Sequence, residues 1–265
     1  MILQEAMDSF VLGQMRQDAG RGRMAEGCME ALADYLLHFS DLFQDDAEQD
    51  EGDLAEWEQA LEANMEQLFD GDVEPTSELG GLELSQLDAE HLRDFLGWYL
   101  MREVAADSTM IRDYCEVLRA WLDSLSRRRW LTAAERLEFL SVVDELEPAC
   151  VRAAKAAQLL FHFVRLGSGV APRLRGQRFS EFAEGHARLV RIEGQHVWLQ
   201  FDNHAEAIGP LWLAEEIVRF LEPGDVIDVE LGLRGDTWLM VDVGPVYPSA
   251  VYVDAEALHA PDKIT

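Results

Sequence analysis

Residues 226–243 read VIDVELGLRGDTWLMVDV, and their alternation decides the class of the C-terminal part of the chain. Apolar side chains recur at every second position on both sides of Arg234-Gly235-Asp236. That is the period of a strand on either side of turn-forming residues. The expected hairpin sets Ile227, Val229 and Leu231 against Leu239, Val241 and Val243 on an inner face. Upstream, His196–Asp202 alternates in the same way, with Val197, Leu199 and Phe201 on one side and His196, Trp198 and Gln200 on the other. A short strand is expected near Ile208–Leu213, then a helical turn over Ala214–Leu221 that Glu222-Pro223-Gly224-Asp225 stops. Three strands, a helical turn and a hairpin give the order of a small five-stranded antiparallel β-barrel-like domain of OB type.

Before residue 167 the apolar period is that of a helix. Residues 24–43 carry Leu32, Tyr35 or Leu36, Phe39, and Leu42 or Phe43 at three- and four-residue steps. Residues 54–69 repeat the pattern through Leu54, Trp57, Leu61, Met65 and Leu68, and the glycines and proline of 70–84 mark a loop. A helix over 88–103 is introduced by Asp88, and one over 108–126 by Asp107 or Ser108. Thr132-Ala-Ala-Glu135 has the spacing of a capping box, in which each end satisfies an orphan backbone donor. Pro148 is expected to divide the helical stretch that follows, which Gly167-Ser168-Gly169 ends. The fold class is therefore α+β. A helical domain spans 1–166, a linker 167–178, the β domain 179–248 and a tail 249–265.

Hydrophobic residues make up 48% of the 265, enough for a globular core, and no run is long enough to cross a membrane. The start MILQEAMDSF carries Glu5 and Asp8 where a secretory signal would be basic and then apolar, so a cytoplasmic protein is expected. Cys28, Cys115 and Cys150 form no CxxC pair and read as buried, reduced thiols. Charge is the most informative property. Of the 51 Asp and Glu, 21 fall in residues 24–92, which contain no Lys or Arg, and the rest of the chain holds 30 acids against 22 bases. Asp45, Asp46, Glu48, Asp50, Glu51 and Asp53 are the densest part of that segment. They do not fit a calcium loop, because counting from Asp46 places Glu51 where glycine is needed and Trp57 where the bidentate Glu belongs.

No nucleophile elbow, phosphate-binding loop or dinucleotide fingerprint is present, so no catalytic residue, cofactor or metal site is assigned. His186, His196 and His204 lack metal-ligand spacing; a metal held by them or by the acids would make this an enzyme, the least supported reading. Trp198, Trp212 and Trp238 each point away from the apolar set of their own strand and are expected to share the outer face. There they would either dock on the helices or meet a ligand, single-stranded nucleic acid included. Residues 171–265 hold 16 acids against 8 bases, a field that works against nucleic acid. Arg127-Arg128-Arg129 forms the one basic run; it suits a helix C-terminus and also an anion site. The first functional expectation is a non-enzymatic interaction or adaptor protein whose acidic helical segment binds a partner with a basic surface.

Two local resemblances concern geometry. Phe95-Leu-Gly-Trp-Tyr-Leu100, Ser108-Thr109, Tyr114 and Leu118-Arg-Ala-Trp-Leu122 resemble the helical core-binding region of tyrosine recombinases. No downstream Arg, His and Tyr set accompanies them. Leu211-Trp-Leu-Ala-Glu-Glu-Ile217 with Leu221-Glu-Pro-Gly-Asp225 is similar to the strand, turn and Pro-Gly-Asp pattern of AbrB-like swapped-hairpin regulators.

Overall fold

The computed structural model describes residues 1–40, 42, 78–167, 170, 178–202 and 206–251. The helix expected at 54–69 lies outside the described residues, as do Asp45–Asp53 and His204. The chain divides into two compact units, Met1–His91 with Ala120–Arg136, and Leu92–Arg119 with Leu137–Thr265.

In the first unit, α1 (Leu3–Gln17) and α2 (Ala19–His38) form a helical hairpin hinged on Asp18, whose carboxylate accepts from the amides of Gly20 and Arg21 at 2.8 and 2.9 Å. Those two bonds hold its pKa below the ordinary value. Leu3, Ala6, Met7 and Phe10 make the buried stripe of α1, and Ala25, Cys28, Met29, Leu32, Tyr35 and Leu36 that of α2. α2 starts earlier than the expected 24 and stops short of 43. Gly20 and Gly22 lie inside it, and a Cβ at Gly22 would collide with Met15 of α1, so the glycine permits close contact between the helices. The Ser40 hydroxyl donates to the Leu36 carbonyl at 2.6 Å just beyond the helix end. Short 3₁₀ turns at Glu78–Gly81 and Leu84–Gln86 return to the N-terminus, where Leu3 N donates to Leu82 O at 2.8 Å and Leu84 N to Met1 O at 2.9 Å.

Helix α3 (Ala89–Asp94) runs through a π-helical turn at Phe95–Tyr99 into α4 (Leu100–Arg102). Asp107 caps α5 (Ser108–Arg127), accepting from the amides of Thr109 and Met110 at 2.8 and 2.9 Å. The capping box at Thr132 and Glu135 is closed from both ends and opens α6 (Ala133–Arg165). α6 passes through Pro148 without a break, contrary to the expectation from sequence. A mid-helix proline costs about 3 kcal/mol. Here Val142, Val143, Leu146, Cys150, Ala153 and Ala154 stay buried on both sides of it, and continuous burial outweighs the lost bond. Within the second unit Arg119 of α5 reaches Asp144 and Glu147 of α6, each at 2.6 Å.

The sheet of the second unit comprises β1 (Glu181–Glu193), β2 (His196–Gln200), β3 (Ile208–Trp212), β4 (Val226–Arg234) and β5 (Thr237–Tyr247), with α7 (Glu215–Val218) between β3 and β4. Every ladder is antiparallel and the order is β3-β2-β1-β4-β5. β3 and β5 approach each other with no ladder between them, so the sheet does not close into a barrel. Ala183, Ala187, Leu189, Val197, Leu199, Leu211, Val229, Leu231, Val243 and Val246 are buried along the strands.

The hairpin pairs differently from the expected register. Leu231 lies opposite Met240 and Val229 opposite Val243, which leaves Val241 as the extra residue of a bulge. One inserted residue exchanges the faces of everything before it. Leu239 therefore pairs with Gly232 on the face opposite Val243.

Candidate binding face on the sheet

The same bulge separates the three tryptophans. Trp238 pairs with Leu233 and shares the face of Leu231, which is the inner one. Trp198 pairs with Arg191, and Trp212 with His196, on the outer face. Through β1 the Trp238 end aligns with Glu181 and the Trp198 end with Arg191. At about 3.3 Å per residue these are roughly 30 Å apart along the strand. By register Trp238 thus stands apart from Trp198 and Trp212.

That pair is built closely. The Arg191 guanidinium lies 3.7 Å from the centre of the Trp198 ring, close enough for a cation–π contact. A Cβ on Gly209 of β3 would come within 2.6 Å of Trp198 Cδ1, so only glycine allows this indole to lie across the neighbouring strand. Trp198 is half-buried as a result. Trp212 is 44% exposed; its indole N–H donates to Gln195 Oε1 at 3.0 Å, and its ring centre lies 5.8 Å from that of Phe163 on α6. Arg191, Gln195 and Phe163 carry no motif. Only the strand register identifies Arg191 as the partner of Trp198.

A cluster of acids also lies on the outer face. Glu184, Glu230 and Asp242 lie directly side by side across β1, β4 and β5. Partial burial, then repulsion from Glu184 and Asp242, raises the Glu230 pKa above the ordinary carboxylate value. The outer surface is thus divided between an aromatic half on β2 and β3 and an anionic half on β4 and β5.

Sequence comparison leaves this face without a relative. No family model, curated protein or solved structure matches the chain.

The polar centre of the second unit is a pair that the sequence reading did not assign. Arg152 of α6 holds the fully buried Asp225 with two bonds of 2.7 Å and also donates to the Phe220 carbonyl at 2.8 Å. Asp225 Oδ2 further accepts from Glu222 N at 2.8 Å, and the Asp225 carbonyl accepts from Leu189 N at 2.7 Å. The Pro-Gly-Asp turn noticed in the sequence is therefore a junction of helix, turn and strand. Burial opposes the Arg152 charge, yet its bonds to Asp225 prevail and the pKa rises.

His186 is buried against Tyr247, with ring centres 5.5 Å apart, and His196 is exposed on β2. Among the described residues no group of three His, Cys, Asp or Glu is placed to hold a metal. Cys28, Cys115 and Cys150 are all buried, and burial pushes the thiols of Cys115 and Cys150 up to about 12. Such thiols are poor nucleophiles. Among the described residues no helix is long and apolar enough to cross a membrane.

Proposed function

We propose that this chain is a non-enzymatic interaction protein that engages a basic partner through residues 24–92. The observation that carries the reading is the distribution of charge: 21 acids and no Lys or Arg in that segment. Where the segment is described, Glu26, Glu30 and Asp34 are exposed one helical turn apart on α2. Like charges so aligned cost stability, and a basic partner relieves the repulsion. Capture from cell lysate by the full chain tests this. Partners that release at high salt, and that are lost when Asp45, Asp46, Glu48, Asp50, Glu51 and Asp53 become Asn or Gln, support the reading. Partners indifferent to both changes overturn it.

A second reading concerns the sheet. Its strand order, the helical segment between β3 and β4, and the approach of β3 to β5 fit an open barrel of OB type, whose ligands meet strands 2 and 3. Trp212, exposed beside Trp198 and Arg191, favours a stacking ligand there, single-stranded nucleic acid or a small planar molecule. The anionic half of the same face limits a nucleic acid to β2 and β3. Oligonucleotide quenching of tryptophan emission, absent in Trp212→Phe, is the expected result; no quenching of the full chain at low salt removes the nucleic-acid version.

A further inference from the structure

Within the first unit a cleft of about 250 Å³ opens between α1 and the last turn of α5, its lining including Ser9, Phe10, Gly13, Gln14, Arg127 and Arg128. Among the described residues no carboxylate lines it. Its polar groups are guanidinium, hydroxyl and amide, an inventory dominated by hydrogen-bond donors. Arg128 donates to the Ser9 hydroxyl and its guanidinium lies 4.8 Å from the Trp130 ring centre, so one cation is already held across the cleft. Elsewhere Arg93, Arg119, Arg136 and Arg152 meet acids: Glu145, Asp144, Asp123 and Asp225 respectively.

Complementing a helix C-terminus is the simplest role for such a run. Here the backbone already caps that end. Arg128 N, Arg129 N and Trp130 N donate to the carbonyls of Ser124, Ser126 and Leu125 at 3.1, 3.0 and 3.0 Å. Arg129 takes the left-handed conformation, φ 63°, at the position where helices commonly end in glycine. Backbone donors thus serve these carbonyls, while the side chains of Arg127 and Arg128 line the cleft.

We propose that this cleft binds a small phosphomonoester, with the phosphate held by Arg127 and Arg128 and the carbon portion lying against Phe10. Paired guanidinium groups match phosphate oxygens in geometry as well as charge. The volume lies just below the range of drug-sized pockets, which sets the size of the ligand near a glycerol or sugar phosphate.

Calorimetric titration of the full chain with glycerol phosphate, and separately with inorganic phosphate, in chloride buffer tests the assignment. Saturable binding of the ester, tighter than that of inorganic phosphate, is expected. Arg127→Ala and Arg128→Ala should each weaken it about tenfold, the usual worth of one charged hydrogen bond. Gly13→Leu fills the cleft without altering its charge and meets no atom within 4 Å at its Cβ, so it should fold and lose binding as well. Arg112→Ala, an exposed arginine outside the cleft, should leave the affinity unchanged. No saturable binding, equal affinity for the two probes, or full binding by Gly13→Leu overturns the proposal.

Discussion

At the scale of single residues, the pair with most at stake is Arg152 and Asp225. Asp225 is fully buried and Arg152 half-buried, so removing the arginine strands a buried charge and neutralising the aspartate leaves a partly desolvated one. Breaking a buried pair from one side costs about 3–5 kcal/mol. Asp225→Asn keeps the shape and removes the charge; with Arg152 retaining some solvent, a loss of about 3 kcal/mol in urea unfolding is expected. A neutral result would mean that the turn is held by its backbone bonds alone. Glu230 presents the opposite case. Its raised pKa means that the folded state binds the proton more readily than the unfolded chain. Its favourable contribution is full below the unfolded pKa and is lost as pH rises through the folded one. Glu230→Gln should accordingly stabilise the protein at neutral pH by about 0.2–1 kcal/mol, the usual worth of a cross-strand charge pair. The gain over the parent should vanish as pH falls toward 4. A gain that persists in acid would exclude charge as its cause.

At the scale of elements, caps and periods were legible and departures from them were not. Asp107, Asp88 and Thr132-Glu135 were readable as helix starts because a short polar side chain before an apolar stripe has few other uses, and all three make their capping bonds. Asp107→Ala should cost about 1 kcal/mol at neutral pH. The amides of Met110 and Thr109 hold this carboxyl below its ordinary pKa. The cap's contribution is therefore present above the unfolded value and lost as pH falls through the folded one. Thermal unfolding of parent and variant should converge in acid, and a constant gap would argue against capping as the cause.

Pro148 misled because the cost of a proline is local, whereas the burial that offsets it depends on the whole unit. The Val241 bulge misled for a related reason. Alternation counts residues, and one unpaired residue changes the face of Trp238 without leaving a mark in the sequence. The candidate face was thus half-legible. Trp198 and Trp212 fell on one side by period alone, while Arg191 over Trp198 and the glycine beneath it emerge only from register.

At the scale of the whole molecule, the strongest statement concerns where the charge resides. A chain adapted simply to salt would spread its acids, but here the basic residues stop at Arg23 and resume at Arg93. Surface charges are screened beyond about 8 Å at physiological salt, so a segment of this density acts at short range on whatever lies against it. Neutralising an equal number of acids elsewhere should therefore not reproduce the effect of neutralising these. The direct measurement is the affinity of the full chain for a Lys- and Arg-rich peptide at low and at physiological salt. Two variants are compared, one with Asp45, Asp46, Glu48, Asp50, Glu51 and Asp53 converted to amides, the other with the exposed Glu181, Glu184, Glu193, Glu215, Glu216 and Asp236 so converted. The predicted result is salt-sensitive binding that the first variant loses by about tenfold or more and the second retains. Equal losses in the two variants would contradict the account, since the chain would then attract basic partners by its total charge alone.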